Sequence, residues 1–125
     1  ADFDSYNGIV LPGGMPGTTH LMEDETVNRV IREFAQGGKL VAAICAAPSV
    51  LGKAGLLVGK KATCYPGVEG KLTGADFVTD SVAQDGNIIT SRGLGTAIDF
   101  AAAIVAYLKD PDAAKSLKES IVYGA

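Results

Sequence analysis

The run KLVAAI, residues 39–44, constrains this chain more than any other stretch. After its first residue it is apolar and does not alternate. A strand with one wet face alternates, whereas a strand buried on both faces does not. Such strands lie at the centre of parallel sheets, with helices packed on each side. The flanks agree. Upstream, in MEDETVNRVIREFAQGG, Val27, Val30, Ile31 and Phe34 fall at i, i+3, i+4 and i+7, one face of a helix. Glu23, Asp24 and Glu25 favour its N-terminus, and Gly37-Gly38 stops it. Downstream, APSVLGKAG reads as a short helix with Pro48 near its start. Cys45 stands at the junction.

The rest of the chain repeats the alternation. YNGIVLPGG (residues 6–14) is a short strand ending in a glycine corner, and GKKATCYPG is a strand with its exit loop. In ADFVTDSVAQDGNIITSRG, the pair Asp85-Gly86 between two β-prone runs signals a hairpin. TAIDFAAAIVAYL is a long apolar helix, with Thr96 and Asp99 in the N-cap and N3 places of an Asp-type capping box. DPDAAKSLKESIVY is a last helix, capped by Asp110 with Pro111 in its first turn. This order predicts one α/β domain of three layers, with a mainly parallel sheet and a small β-hairpin. The C-terminal ends of parallel strands share one edge, where such sheets bind ligands. Four corners are expected there: Gly13-Gly14, Cys45-Ala46, Tyr65-Pro66 and Arg92-Gly93. The chain also opens straight into an interior-looking strand at residues 8–12. That would leave an apolar edge uncovered, so the expectation is a fragment or one piece of a cleaved protein.

Composition excludes several classes of function. Hydrophobic residues make up 47% and charged residues 20% of 125, a globular balance. The net charge of −3, without a block of like charge, disfavours nucleic acid or an anionic membrane as partner. No apolar run has the length of a membrane span, and no signal peptide is visible. Two cysteines without secretory features point to free thiols in a reducing compartment, the cytoplasm by default. Two cysteines and one histidine are too few for a zinc site.

Cys45 has two readings. A small buried cysteine is the usual fate of this residue type. A cysteine at a strand-to-helix corner is alternatively a nucleophile, because unpaired N–H groups at a helix start favour the thiolate. Ala46 and Ala47 leave room for a substrate, and the arrangement is like a nucleophile elbow. The N–H groups of Gly14 and Ala46 are candidates for holding an oxyanion, although a glycine corner is also an ordinary turn. The single histidine, His20, near the start of the first helix, is a candidate base or simply an exposed side chain. Tyr65 donates into the cleft or packs. Cys64 is a resolving thiol or, more in keeping with its place beside Tyr65, structural. RGLGT (residues 92–96) lacks the lysine of a phosphate-binding P-loop.

Taken together, VLPGGMPGTTHL, AAICAAPSVLGKAGLL, GKKATCYPG and GNIITSRGLGTAIDFAAAIV resemble the ThiJ/PfpI superfamily. They are most similar to the branch of the parkinsonism-associated deglycase and its bacterial relatives. The likeness covers nearly the whole chain, in order. It implies a flavodoxin-like, class I glutamine amidotransferase-like sandwich, of which residues 1–125 are the C-terminal two-thirds of a single domain. It implies a homodimer without cofactor or metal, and a small reactive aldehyde as substrate. Cys45 is then the reactive cysteine, Gly14 and Ala46 the oxyanion pocket, and Gly13, Tyr65, Pro66, Arg92, Gly93 and Leu94 the pocket wall. Activities of relatives include glyoxalase III, protein deglycation, chaperone action and peptidase activity. An oxidative-stress sensor or chaperone using Cys45 without turnover is the alternative, and an amidotransferase or peptidase a weaker one. Ala46 stands where the peptidase branch has histidine, which counts against that branch. Leu94 stands where many relatives have proline, and some relatives have histidine in place of Tyr65. The resemblance also implies an acid–base glutamate in the first third of such a domain, a region this chain lacks; a second chain carrying it is then an expected partner.

Overall fold

A computed structural model of the chain describes residues 7–14 and 17–120. The elements are β1 (Gly8–Leu11), α1 (Gly17–Glu23), α2 (Glu25–Gln36), β2 (Leu40–Ile44), α3 (Pro48–Lys53), β3 (Lys61–Ala62), β4 (Asp76–Phe77), β5 (Val82–Asp85), β6 (Ile88–Ser91), α4 (Ala97–Leu108) and α5 (Pro111–Ser120). The main sheet has the order β1-β2-β6-β5. β2 pairs parallel with β1, Val41 opposite Ile9, and parallel with β6, Val41 opposite Ile88. β5 runs antiparallel to β6. Its two-residue turn places Gly86 at φ 61°, the first central position that a type II′ turn reserves for glycine.

β2 explains the layers. Val41 and Ala43 join one apolar cluster, with Val30, Ile31 and Phe34 of α2 and Val50 and Leu51 of α3. Leu40 and Ala42 join the other, with Ile89 and with Phe100 of α4. Alternate side chains of one strand therefore feed two cores, which is why its sequence cannot alternate. α2 and α3 cover one face, α4 covers the other, and α5 packs on α4. This is the flavodoxin-like three-layer arrangement. No helix among the described residues is long and apolar enough to cross a membrane.

Four expectations change. The first helical region is two helices, not one, because Asp24 is extended (φ −78°, ψ 118°) and its carboxylate accepts the Val27 N–H at 3.0 Å as the cap of α2. α1 precedes it, so His20 lies in the last turn of a short helix and is exposed. GKKATCYPG contributes only two strand residues. β3 pairs parallel with β4, in a small separate sheet, so ADF leaves the hairpin. Finally, Thr96 precedes α4 but makes no side-chain cap; its hydroxyl turns back to the Arg92 and Gly93 N–H groups at 3.2 and 3.0 Å. Asp99 instead meets Lys118 of α5 at 3.2 Å, which ties the last two helices together. The Asp110 cap holds as read, accepting the Ala113 N–H at 2.7 Å. Tyr6 and residues 121–123 lie outside the described residues.

Candidate active site

β1, β2 and β6 are parallel and in register, so their C-terminal ends come to one edge. Each strand is followed there by a corner: Gly13-Gly14, Cys45-Ala46 and Arg92-Gly93. The fourth, Tyr65-Pro66, is joined to them through its backbone, because the Tyr65 N–H donates to the Cys45 carbonyl at 2.8 Å. The structure thus brings all four corners together.

Cys45 has φ 67° and is the one non-glycine with positive φ among the described residues. Left-handed backbone costs an L-residue roughly 1–3 kcal/mol and persists only where its surroundings impose it. They do so from both sides. The Cys45 N–H donates to the Ser91 carbonyl at 3.1 Å, and its carbonyl accepts from Tyr65. The chain then winds directly into α3: Ala47 N–H bonds Ile44 O at 3.1 Å, and the Ser49 hydroxyl donates to Ala46 O at 2.6 Å. Cys45 is half-buried.

Two glycines serve the corner for different reasons. Gly14 has φ 98°, which an L side chain rarely adopts. Gly13 is needed for space. A Cβ there would run into Cys45 Cβ, 2.9 Å from Ile44 O and 3.3 Å from Cys45 Sγ. Among the described residues neither the Gly14 nor the Ala46 N–H donates a hydrogen bond. Beside Ala46 opens a cavity of about 300 Å³, lined by Thr18, Met22, Ser49, Val68 and Lys71 among others. A larger groove of about 670 Å³ lies elsewhere, between β5, α4 and α5.

The remaining predicted residues form the rim. Tyr65 and Pro66 are exposed, Gly93 is half-buried, and Leu94 is 93% exposed. Arg92 donates from Nε to the Cys64 carbonyl at 3.0 Å and lies over the Phe77 ring at 5.9 Å. Cys64 is fully buried. Loss of solvent, reinforced by the Glu69 charge and opposed by Arg92, pushes its thiol up from 9.0 to about 11. The structural reading of Cys64 fits that burial. No hydrogen bond joins His20 to Cys45, and among the described residues no three metal-ligating side chains gather. Sequence reasoning places neither Ser91 nor Thr96 at this edge, Thr96 being read only as a helix cap. Their hydroxyls lie 2.7 Å apart, and Ser91 donates to Ser81 O at 2.6 Å, knotting the turn behind Arg92. Only the hydroxyls flanking the arginine-glycine pair hinted at it.

The chain is similar to known proteins along most of its length. Residues 1–107 match the DJ-1/PfpI family. The protein dj-1beta of Drosophila melanogaster is 40% identical over 121 residues, which are 95% of this chain and 65% of the relative. The glutathione-independent glyoxalase DJR-1.2 of Caenorhabditis elegans is 36% identical over 115 residues, 90% of this chain and 61% of the relative. The crystal structure of Drosophila melanogaster DJ-1beta superposes with a TM-score of 0.91 at 39% identity, covering 98% of this chain and 67% of that one. The chain therefore spans about two thirds of the length of these relatives. With its motifs in order, its sheet closing on a strained cysteine corner and these likenesses along nearly its full length, the chain belongs to the DJ-1/PfpI family.

Proposed function

We propose that Cys45 is the nucleophile of a cofactor-free site for small reactive carbonyls, of the glyoxalase and deglycase type. One observation carries the reading: Cys45 alone among non-glycine residues described is held at positive φ, on the edge where the corners meet. Strain of this kind persists where surrounding structure imposes it and clusters at functional sites. The glyoxalase name of the C. elegans relative supports the substrate class.

The Cys45 thiolate adds to the aldehyde carbon of an α-oxoaldehyde. The C–S bond forms, and the carbonyl pair moves onto oxygen as an alkoxide. The unpartnered Gly14 and Ala46 N–H groups stabilise that charge. After protonation, the hemithioacetal proton on carbon passes to a base and returns to the neighbouring carbon, giving a thioester of the hydroxy acid. Water cleaves that ester and frees the thiol, so the whole is addition of one water to the oxoaldehyde. Among the described residues no acidic or imidazole group hydrogen-bonds Cys45. The proposal therefore takes its proton-transfer carboxylate from outside the described residues. The cavity beside Ala46 is of a size for a small substrate, and of the three proposed catalytic residues only Ala46 lines it. A homodimer is the assembly this reading carries with it.

Methylglyoxal consumption with lactate formation, compared between wild-type and Cys45→Ala protein, is the test. Loss of turnover in the variant is expected, and equal rates in both refute the proposal. A second reading, oxidation of Cys45 without turnover, is favoured by the contrast between half-buried Cys45 and fully buried Cys64. Peroxide treatment followed by peptide mass spectrometry decides it. Modification of Cys64 ahead of Cys45 rules it out.

A further inference from the structure

The two backbone groups of Cys45 are bonded to two different loops, and one side chain joins those loops. The Cys45 N–H donates to the carbonyl of Ser91, the residue before Arg92. The Arg92 Nε donates at 3.0 Å to the carbonyl of Cys64. That carbonyl belongs to the same peptide unit as the Tyr65 N–H, which donates at 2.8 Å to the carbonyl of Cys45. The hydrogen bonds therefore close a ring through Cys45, Ser91, Arg92 and the Cys64–Tyr65 peptide.

We propose that Arg92 is a positioning residue that holds Cys45 in its left-handed conformation by orienting and polarising the Cys64–Tyr65 peptide. A cation on the carbonyl oxygen of a peptide draws electrons from its nitrogen, so the opposite N–H becomes a better donor. Here that N–H acts on the carbonyl of the strained residue. Arg92 suits the task because its own placement is fixed from several directions. Its guanidinium lies over the Phe77 ring and within the field of the Glu69 carboxylate, while its backbone N–H is bonded to Thr96 Oγ1. A guanidinium held in this way loses little freedom in making the bond. Arg92 touches no reacting atom; it acts through one peptide group.

This inference rests on Cys45 being the reacting thiol, and not on which carbonyl it takes. Its test is therefore alkylation by iodoacetamide, read residue by residue by mass spectrometry, together with hydrogen exchange at the Tyr65 amide. Arg92→Ala and Arg92→Gln remove the cation, and Arg92→Lys keeps a cation without the fork. Alkylation of Cys45 is expected to slow by on the order of tenfold in the first two and by less in the third. Tyr65 amide exchange is expected to quicken in the same order. Cys64 stays unmodified while the fold is intact, so it reports any loss of structure in the same spectrum. Wild-type rates at Cys45 in a folded Ala or Gln variant overturn the proposal. So does a slower Cys45 whose Tyr65 amide is as protected as in the wild type. If the Ala and Gln variants expose Cys64, the Lys variant decides by the same two readouts, and unfolding of all three counts against a positioning role. A wild-type Cys45 inert to iodoacetamide sinks the proposed function instead.

Discussion

Gly13→Ala puts the elbow geometry at risk with the smallest possible change. Gly13 does not have the left-handed backbone of Gly14, so alanine is not opposed by φ. On chain entropy alone the substitution would stabilise by about 0.4–1 kcal/mol. The added methyl has nowhere to go. It meets Cys45 Cβ and lies 2.9 Å from Ile44 O, half an ångström inside the 3.4 Å at which ordinary contact begins. Both neighbours belong to the corner that two hydrogen bonds hold in place. Overpacking of this kind costs about 1–3 kcal/mol, so a net loss of about 1–2 kcal/mol is expected. The relief available is movement of Cys45, and misplacing a reacting group by an ångström costs on the order of a hundredfold in rate. Urea unfolding and Cys45 alkylation measured on the same samples test both halves. Gly17→Ala serves as control, since a Cβ there meets nothing within 4 Å. An unchanged urea midpoint with unchanged alkylation in Gly13→Ala would refute the claim that the glycine exists to admit the elbow.

Two further changes probe the supports. Thr90→Val removes the buried hydroxyl that accepts the Thr63 N–H at 2.9 Å, leaving a buried donor unpaired; a loss of about 1–3 kcal/mol in urea unfolding is expected, and an unchanged midpoint contradicts it. The Cys64 thiol, pushed up to about 11 from an ordinary 9.0, contributes stability that is complete below pH 9. As pH rises past 9 the unfolded chain releases its proton first, so about 3 kcal/mol is lost by the time pH passes 11. Cys64→Ala should flatten that decline, and an unaltered pH slope in the variant shows that the decline has another source.

What the sequence disclosed was whatever periodicity or residue chemistry determines locally. KLVAAI announced a strand covered twice, because no other environment suits an unbroken apolar run beside an amphipathic helix. Asp85-Gly86 announced the hairpin, and Asp110-Pro111 the start of α5. The misreadings arose where two local solutions compete. Asp24 is acceptable inside a helix or as the cap of one, and in the structure it is the cap, its carboxylate accepting the Val27 N–H. Thr96 could cap α4 or bind back to the preceding turn, and the N–H groups of Arg92 and Gly93 took its hydroxyl. β3 was overestimated because its partner, β4, offers only two residues to pair with. Gly13 and Gly14 look alike in sequence; one answers to φ and the other to a neighbour far along the chain.

The two cysteines show why residue type alone left the function open. Both follow β-structure, and both thiols are free. Cys64 continues past β3 into the apolar cluster, where burial suppresses ionisation and leaves its carbonyl as the useful group, bonded to Arg92. Cys45 follows β2 into a backbone turn that an L-residue resists, and it is only half-buried where Ala43, two residues earlier, lies in the core. The difference is produced by the hydrogen bonds around them, not by their nearest neighbours in sequence. Since the Cys64–Tyr65 peptide makes one of those bonds, the buried cysteine's main chain helps to fix the backbone of the half-buried one. Cys64→Ala keeps that peptide and should leave Cys45 alkylation unchanged, so the contribution lies in the main chain at position 64 and not in its sulfur.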